Sequence, residues 1–318
     1  MSYKVCVTDC RHSSYEIERK IIEDAGFELV LCSCVTGEDI IEQCGDADAI
    51  MLDMAKIDAK VIQGLPKCKV INRYGVGYDN VDVKAASEKG ILVTNVPDYC
   101  MEDVSDHALA LMMSCLRHVA LRDREVRAGK WNIHARSFRL KGKTLGLLGF
   151  GRIARTLAHK VSGFDFGEIL VYDPYVTEDA CREAGAVKAS LEEVLSKADI
   201  ISIHMPVTDE TKGMINRDRI ALMKPDAILI NTARGPLIDD DALVEALKNG
   251  RILEAGLDVH NAEPLPKGSP YLGLDNVTLT DHTGFSTVEG EQELKEKSAR
   301  NVVDVLSGRE PKYCVNRN

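Results

Sequence analysis

Short apolar runs alternate with amphipathic stretches along the whole chain. Residues 3–7 alternate with the two-residue period of a strand, and 15–25 show helical spacing stopped by Gly26. The pattern then repeats as strand 27–34, helix 37–44, strand 49–52, helix 59–65, strand 69–72, helix 81–89 closed by Gly90, and strand 91–95. Such alternation predicts a parallel sheet with helices on its faces. A long amphipathic helix, 103–116, carries the apolar run 108–113. Beyond it a second alternation predicts strands 144–148, 168–172, 200–204, 227–231, 255–259 and 277–280, with helices at 191–196, 217–221 and 240–248. The last helix, 289–307, has no sheet partner nearby in sequence, so it is expected to return to the first domain. The expected fold is α/β, with two doubly wound parallel-sheet domains and a cleft between them. One is discontinuous, 1–101 plus 289–318; the other is 102–288.

Composition narrows the class. A hydrophobic fraction of 45% and a charged fraction of 28% are those of an ordinary folded protein. A net charge of −10 argues against non-specific nucleic-acid binding, which needs cationic surface. No apolar run reaches the length of a membrane span. Ten cysteines are scattered without a C-x-x-C pair or metal-ligand spacing. They fit a reducing cytoplasm and no metal site, with Cys32 and Cys34 as small buried hydrophobes. A basic segment holds Arg117, Arg122, Arg124, Arg127, Lys130, Arg136, Arg139, Lys141 and Lys143. It reads as a subunit-contact arm, an anion site, or a solvated helix and loop crossing between domains.

The most informative stretch is 146–173. A strand leads into Gly149-Phe-Gly151-Arg152-Ile153-Ala154, a helix follows, and the next strand ends at Asp173. This is a βαβ unit with G-x-G-x-x-A at its first turn. Gly149 permits the tight turn, Gly151 lets backbone approach a pyrophosphate, and Ala154 is small enough for close helix–sheet packing. The helix N-terminus favours phosphate. Asp173 stands where a carboxylate accepts from a ribose 2′-OH and repels a 2′-phosphate, which favours NAD over NADP. The first domain has no such motif.

Three polar residues follow strands of the second domain: Arg234, Glu263 and His282. Ligands of open α/β sheets bind at the carboxyl ends of strands. A histidine can donate the proton that carbonyl reduction requires, a carboxylate favours an imidazolium beside it, and a guanidinium can hold a carboxylate. Each also has an ordinary reading, as an ion pair, a surface acid and a loop histidine.

The motifs 74–82, 149–154 with Asp173, 231–235, 256–259 with Glu263-Pro264, and His282 occur in one order. In them the chain resembles the D-isomer-specific 2-hydroxyacid dehydrogenase family over essentially its whole length. It is most similar to the C-terminal-binding-protein-like and phosphoglycerate dehydrogenase-like branch. The resemblance implies a flavodoxin-like substrate domain, a Rossmann NAD-binding domain, and hydride transfer between NAD(H) and a small 2-oxo or D-2-hydroxy acid. It makes Arg234, Glu263 and His282 catalytic, with His282 the general acid/base, Glu263 its partner and Arg234 orienting substrate. Val76 and Gly77 would offer backbone N–H groups to the substrate carboxylate, with Arg234 and His282 completing the substrate contacts. Gly149, Gly151, Arg152, Ile153, Asp173, His204, Pro206, Thr211, Thr232, Ala233, Arg234, Asp258, His282 and Gly284 would line the cofactor, Asp258 at the carboxamide. A homodimer is implied.

Two positions depart from the pattern. Asp281 replaces the usual proline before the histidine, and Phe285 stands where the C-terminal-binding-protein branch has tryptophan. That branch carries the alternative function, an NAD(H)-responsive oligomeric scaffold with little turnover. Arg73 is a candidate for a second anionic group on the substrate, against a structural ion pair. Tyr74, Tyr99 and Phe285 are expected to wall the pocket.

Overall fold

The computed structural model describes residues 2–131 and 137–317. The chain divides into two compact units, Met1–Tyr99 with Thr287–Asn318, and Cys100–Ser286.

In the smaller unit five parallel strands, β1 (Lys4–Val7), β2 (Glu28–Leu31), β3 (Ala49–Leu52), β4 (Val70–Arg73) and β5 (Leu92–Thr94), lie in the order β2-β1-β3-β4-β5. This is the flavodoxin-like doubly wound order. Strands buried on both faces explain the near-continuous apolar runs: all four residues of β3 are inaccessible, as are Val70 and Ile71 of β4. Thr36 begins helix Gly37–Cys44 with a reciprocal capping box to Asp39, worth about 1 kcal/mol. Helix Val288–Leu306 packs against helix Glu16–Asp24 and β4. The buried Asn301 Nδ2 on it donates to Asn72 Oδ1 at 3.3 Å and to the Asn95 carbonyl at 3.0 Å.

Tyr74 lies in this unit's core and walls no pocket. It is 2% exposed, and its hydroxyl donates to Glu18 Oε1 at 3.1 Å. Glu18 itself is buried, so the pair sits together beneath the surface. Tyr99 is buried as well. The thiols of Cys6, Cys32 and Cys44 lie within 4.8 Å of one another in the same core. Burial pushes Cys32 up to about 11, so its thiol stays protonated and packs as a small apolar group.

The larger unit contains β6 (Thr144–Leu148), β7 (Glu168–Tyr172), β8 (Val187–Lys188), β9 (Ile200–Ile203), β10 (Ile228–Asn231), β11 (Glu254–Leu257) and β12 (Val277–Leu279). All pair parallel in the order β12-β11-β10-β9-β6-β7-β8, the Rossmann order with one more strand. Strand order reverses between β6 and β9, and there the two strand ends touch.

Helix Met101–Arg117 ends at His118, whose φ is 54°, and a second helix, Val119–Arg127, follows. A solvated helix was among the readings of this segment, but its bounds were not legible because none of its residues is buried, leaving no apolar periodicity to read. Several cations of the basic segment are paired: Arg127 with Asp123, Lys141 with Asp165 and Lys143 with Asp199. Arg136 lies outside the described residues. Helix Glu178–Glu183 and the two-residue β8 were also not anticipated; both are short, and Val187 is exposed. Among the described residues no helix is long and apolar enough to cross a membrane.

Candidate active site

Because every strand of the larger sheet runs parallel, the loops after β6, β7, β9, β10, β11 and β12 share one edge. Gly149 follows β6 with φ +87°, and a Cβ built there would stand 2.7 Å from the His204 carbonyl oxygen after β9. Only glycine fits both the conformation and the approach. Gly151 caps helix Arg152–Lys160 without a side-chain cap, and a Cβ there would meet nothing within 4 Å. One glycine is thus demanded by the fold, while the other keeps the helix N-terminus open. Ala154 is fully buried where the helix meets the sheet. Asp173 Oδ2 accepts from the Phe150 N–H and Oδ1 from the Tyr175 N–H, both at 2.8 Å. Each oxygen keeps capacity for a further donor. Burial pushes His204 down to about 4, so the ring is neutral near pH 7, with Nε2 2.8 Å from Ser202 Oγ.

After β10 the buried Asn231 shapes the turn that presents Arg234. Its Oδ1 accepts from the Ala233 N–H at 3.0 Å and its Nδ2 donates to the Arg234 carbonyl at 2.9 Å. The Arg234 guanidinium donates to the Ala233 carbonyl at 2.7 Å. Gly235 presses on the next loop, where a Cβ would lie 2.1 Å from the His260 carbonyl carbon. The Arg234 turn and the Glu263 loop are therefore packed against each other. Asn231 is a positioning residue that motif reading alone had not singled out; its signal is a polar residue closing an otherwise apolar strand.

Glu263 Oε1 accepts from the His260 N–H at 2.9 Å, and Oε2 stands 2.8 Å from His282 Nδ1. Burial works to raise the Glu263 carboxyl, but the hydrogen bonds from His282 and His260 outweigh it and hold the group below its ordinary range. The carboxylate accepts, so Nδ1 carries hydrogen and Nε2 is the ring nitrogen that this pair leaves open. His282 adopts φ 58°, uncommon for a non-glycine residue, and Phe285 lies edge-on to its ring at 6.0 Å.

Asp258, 2% exposed, is wrapped by the same loop. Its Oδ1 accepts from Thr280 Oγ1 at 2.6 Å and the Thr283 N–H at 3.0 Å, and its Oδ2 from the Gly284 N–H at 3.0 Å. Burial would raise this carboxyl, yet hydrogen bonds from His107, Thr280 and Gly284 hold it at about 2.

Residues 109–284 match the family model described as D-isomer specific 2-hydroxyacid dehydrogenase, NAD binding domain. The glyoxylate reductase of Pyrococcus furiosus is 41% identical over 289 residues, 88% of this chain and 85% of that protein. The chain belongs to the D-isomer specific 2-hydroxyacid dehydrogenase family.

The D-3-phosphoglycerate dehydrogenase of Methanocaldococcus jannaschii is 39% identical over 98% of this chain, which spans 59% of that longer protein. The crystal structure of D-lactate dehydrogenase from Aquifex aeolicus, complexed with NAD and lactic acid, superposes with a TM-score of 0.86. It is 28% identical, covering 96% of each chain. The chain is accordingly an NAD-dependent dehydrogenase acting between 2-oxo and 2-hydroxy acids, and the scaffold alternative finds no support in these likenesses. The larger unit also fits its dinucleotide on its own geometry. The Gly151 helix start has room for phosphate, Asp173 has unused acceptor capacity, and the buried Thr232 Oγ1 has no partner among the described residues.

In the smaller unit the loop after β4 carries Val76 and Gly77. Among the described residues their N–H groups have no hydrogen-bond acceptor, while the Val76 carbonyl accepts from Asn95 at 2.7 Å. Arg73 folds back over this loop: a Cβ on Gly75, where φ is +134°, would collide with its Nη1. Arg73 Nη2 stands 3.6 Å from Asp53.

Proposed function

We propose that this dehydrogenase reduces a compact 2-oxo acid with NADH and, in reverse, oxidises the D-2-hydroxy acid, with His282 as general acid/base. The observation that carries this reading is the His282–Glu263 pair at 2.8 Å, with the second Glu263 oxygen fixed by the His260 N–H. Glu263 orients the imidazole and leaves Nε2 to give its proton to the carbonyl oxygen. Arg234 holds the substrate carboxylate and polarises the neighbouring carbonyl. Val76 and Gly77 offer N–H groups to the same class of anionic oxygen. When bound, NADH supplies the hydride that the carbonyl carbon accepts. Asp173 would take the adenosine ribose, and the Gly149–Ile153 turn the pyrophosphate. His204, Pro206, Thr211, Thr232, Ala233, Asp258 and Gly284 would line the remainder of the dinucleotide.

Arg73 supports a second reading, in which the substrate carries a further anionic group such as a phosphate. Its guanidinium is already engaged by Asp53 at 3.6 Å, so the compact acid is preferred. The test is NADH consumption with glyoxylate, pyruvate, hydroxypyruvate and phosphohydroxypyruvate. Reduction of glyoxylate or hydroxypyruvate by wild type, lost in His282→Ala with NADH affinity kept, is the expected result. Equal rates for His282→Ala would overturn it. If only the phosphorylated acid turns over, and Arg73→Ala abolishes that, the second reading replaces the first.

A homodimer and a reducing cytoplasm complete the proposal. Val119, Val126 and Trp131 are 57%, 55% and 83% exposed, a concentration of apolar surface that suits a subunit contact. The cysteines are all free thiols.

A further inference from the structure

We propose that His107 is a positioning residue for His282, acting through Thr280 and Asp258. The inference rests on the reading of His282 as general acid. His107 stands on helix Met101–Arg117, remote in sequence from every other residue of the site. Its Nε2 is 2.9 Å from Thr280 Oγ1 and 3.2 Å from Asp258 Oδ1.

The hydrogens in this cluster have one consistent arrangement. Asp258 is acceptor-only as a carboxylate, so the 2.6 Å contact from Thr280 Oγ1 places the hydroxyl hydrogen on the Asp258 side. The Thr280 oxygen must then accept from His107, which requires the hydrogen on Nε2. The chain of bonds runs from His107 Nε2–H to Thr280 Oγ–H to Asp258. From Asp258 it reaches the catalytic loop in three places. The carboxylate takes the N–H groups of Thr283 and Gly284, and its own carbonyl takes the His282 N–H at 2.8 Å. Residue 282 is thereby clamped from both sides in its left-handed conformation, a geometry that persists only where its surroundings over-determine it.

Packing fixes the ring as well. His107, Leu111 and Cys115 are spaced four apart and lie on one face of the helix. A Cβ on Gly256 of β11 would stand 3.1 Å from Leu111 Cβ and 3.2 Å from Cys115 Sγ. The helix is seated on the sheet at those two residues. One turn earlier, the His107 ring rests against Gly284, where a Cβ would lie 3.3 Å from Cδ2 and 2.8 Å from Asp258 Oδ2. Ring, carboxylate and Gly284 backbone occupy one close-packed layer, so a shift of the ring moves the loop bearing the general acid.

The test is a double-mutant cycle of His107→Ala and His282→Ala, with His107→Gln as the conservative variant whose amide can still donate to Thr280. His107→Ala should lower kcat roughly 10- to 100-fold, as expected for misplaced catalytic geometry, with NADH dissociation constant and folded circular dichroism kept. His107→Gln should recover most of the rate. In the His282→Ala background, His107→Ala should cost little more, because its effect passes through the missing histidine. A wild-type kcat for His107→Ala, or an equal loss in both backgrounds, overturns the proposal. So does failure of His107→Gln to recover rate while folded. If His282→Ala itself keeps the wild-type rate, the general-acid reading falls, and that outcome is told apart by the His282 arm alone.

Discussion

Glu263 divides its two oxygens between a backbone N–H and an imidazole, and on that division rests its proposed part as the partner of His282. Replacing it with glutamine keeps the shape and removes the charge. Glu263→Gln should therefore lower kcat for reduction roughly 10- to 100-fold, because the charged acceptor that fixes the imidazole is lost. A wild-type kcat for folded Glu263→Gln would remove Glu263 from the mechanism. Asp258 permits a stability prediction. Its carboxyl falls from an ordinary 3.8 to about 2 in the folded chain, which at about 1.4 kcal/mol per pH unit is worth roughly 2 kcal/mol. That stability is fully present above the unfolded value and lost as pH falls through the folded one. Wild type should thus exceed Asp258→Asn in urea unfolding at pH 7, and the margin should shrink between about pH 4 and pH 2. Asp173→Ala should narrow the preference for NADH over NADPH by about 1–3 kcal/mol, measured as the ratio of dissociation constants. Arg234, Glu263 and His282 stood out as candidates because each follows a strand of one parallel sheet, and the family resemblance supplied the roles proposed for them. His107 was not, because a lone histidine in an amphipathic helix gives no hint that its ring faces a loop 173 residues later.

At the level of elements, the two glycines of the first βα turn separate fold from binding. At Gly149 a Cβ would meet backbone at 2.7 Å with φ +87°, whereas at Gly151 it would meet nothing. Gly149→Ala should lower stability by about 1–3 kcal/mol, the usual cost of such strain. Gly151→Ala should melt like wild type yet bind NADH more weakly, because the methyl group occupies the space left for phosphate. Calorimetry for the first and titration for the second check this; wild-type NADH affinity in Gly151→Ala would mean that the open helix start has no bearing on the cofactor. The strand–helix alternation was readable because central parallel strands are uniformly apolar and their helices have one buried stripe. Helix Val119–Arg127 has no buried residue, and Tyr74 joined the core through a hydroxyl bond to the buried Glu18. Neither leaves a trace in a hydrophobicity pattern, since one buries nothing and the other depends on a partner 56 residues away.

For the whole molecule, connectivity matters as much as packing. The larger unit, Cys100–Ser286, is inserted between the two segments of the smaller one. If the insert unfolds while the smaller unit stays folded, a flexible loop of roughly 190 residues must be closed, at an entropic cost of about 4–5 kcal/mol. Stabilising the insert should therefore protect both units. Saturation with NADH at about 100 times its dissociation constant contributes roughly 2.7 kcal/mol to the state that binds it. Hydrogen exchange should slow in β6, β9 and β10, which bear the cofactor loops, and also in β1, β3 and β4, which belong to the other unit's core. The slowing in the second group should be absent when NADH is added to Gly151→Ala at the same concentration, because that variant leaves the chain connectivity untouched and weakens only the binding. Protection confined to β6, β9 and β10 in wild type would show that the smaller unit unfolds without regard to its insert, and the loop-closure argument would have to be given up.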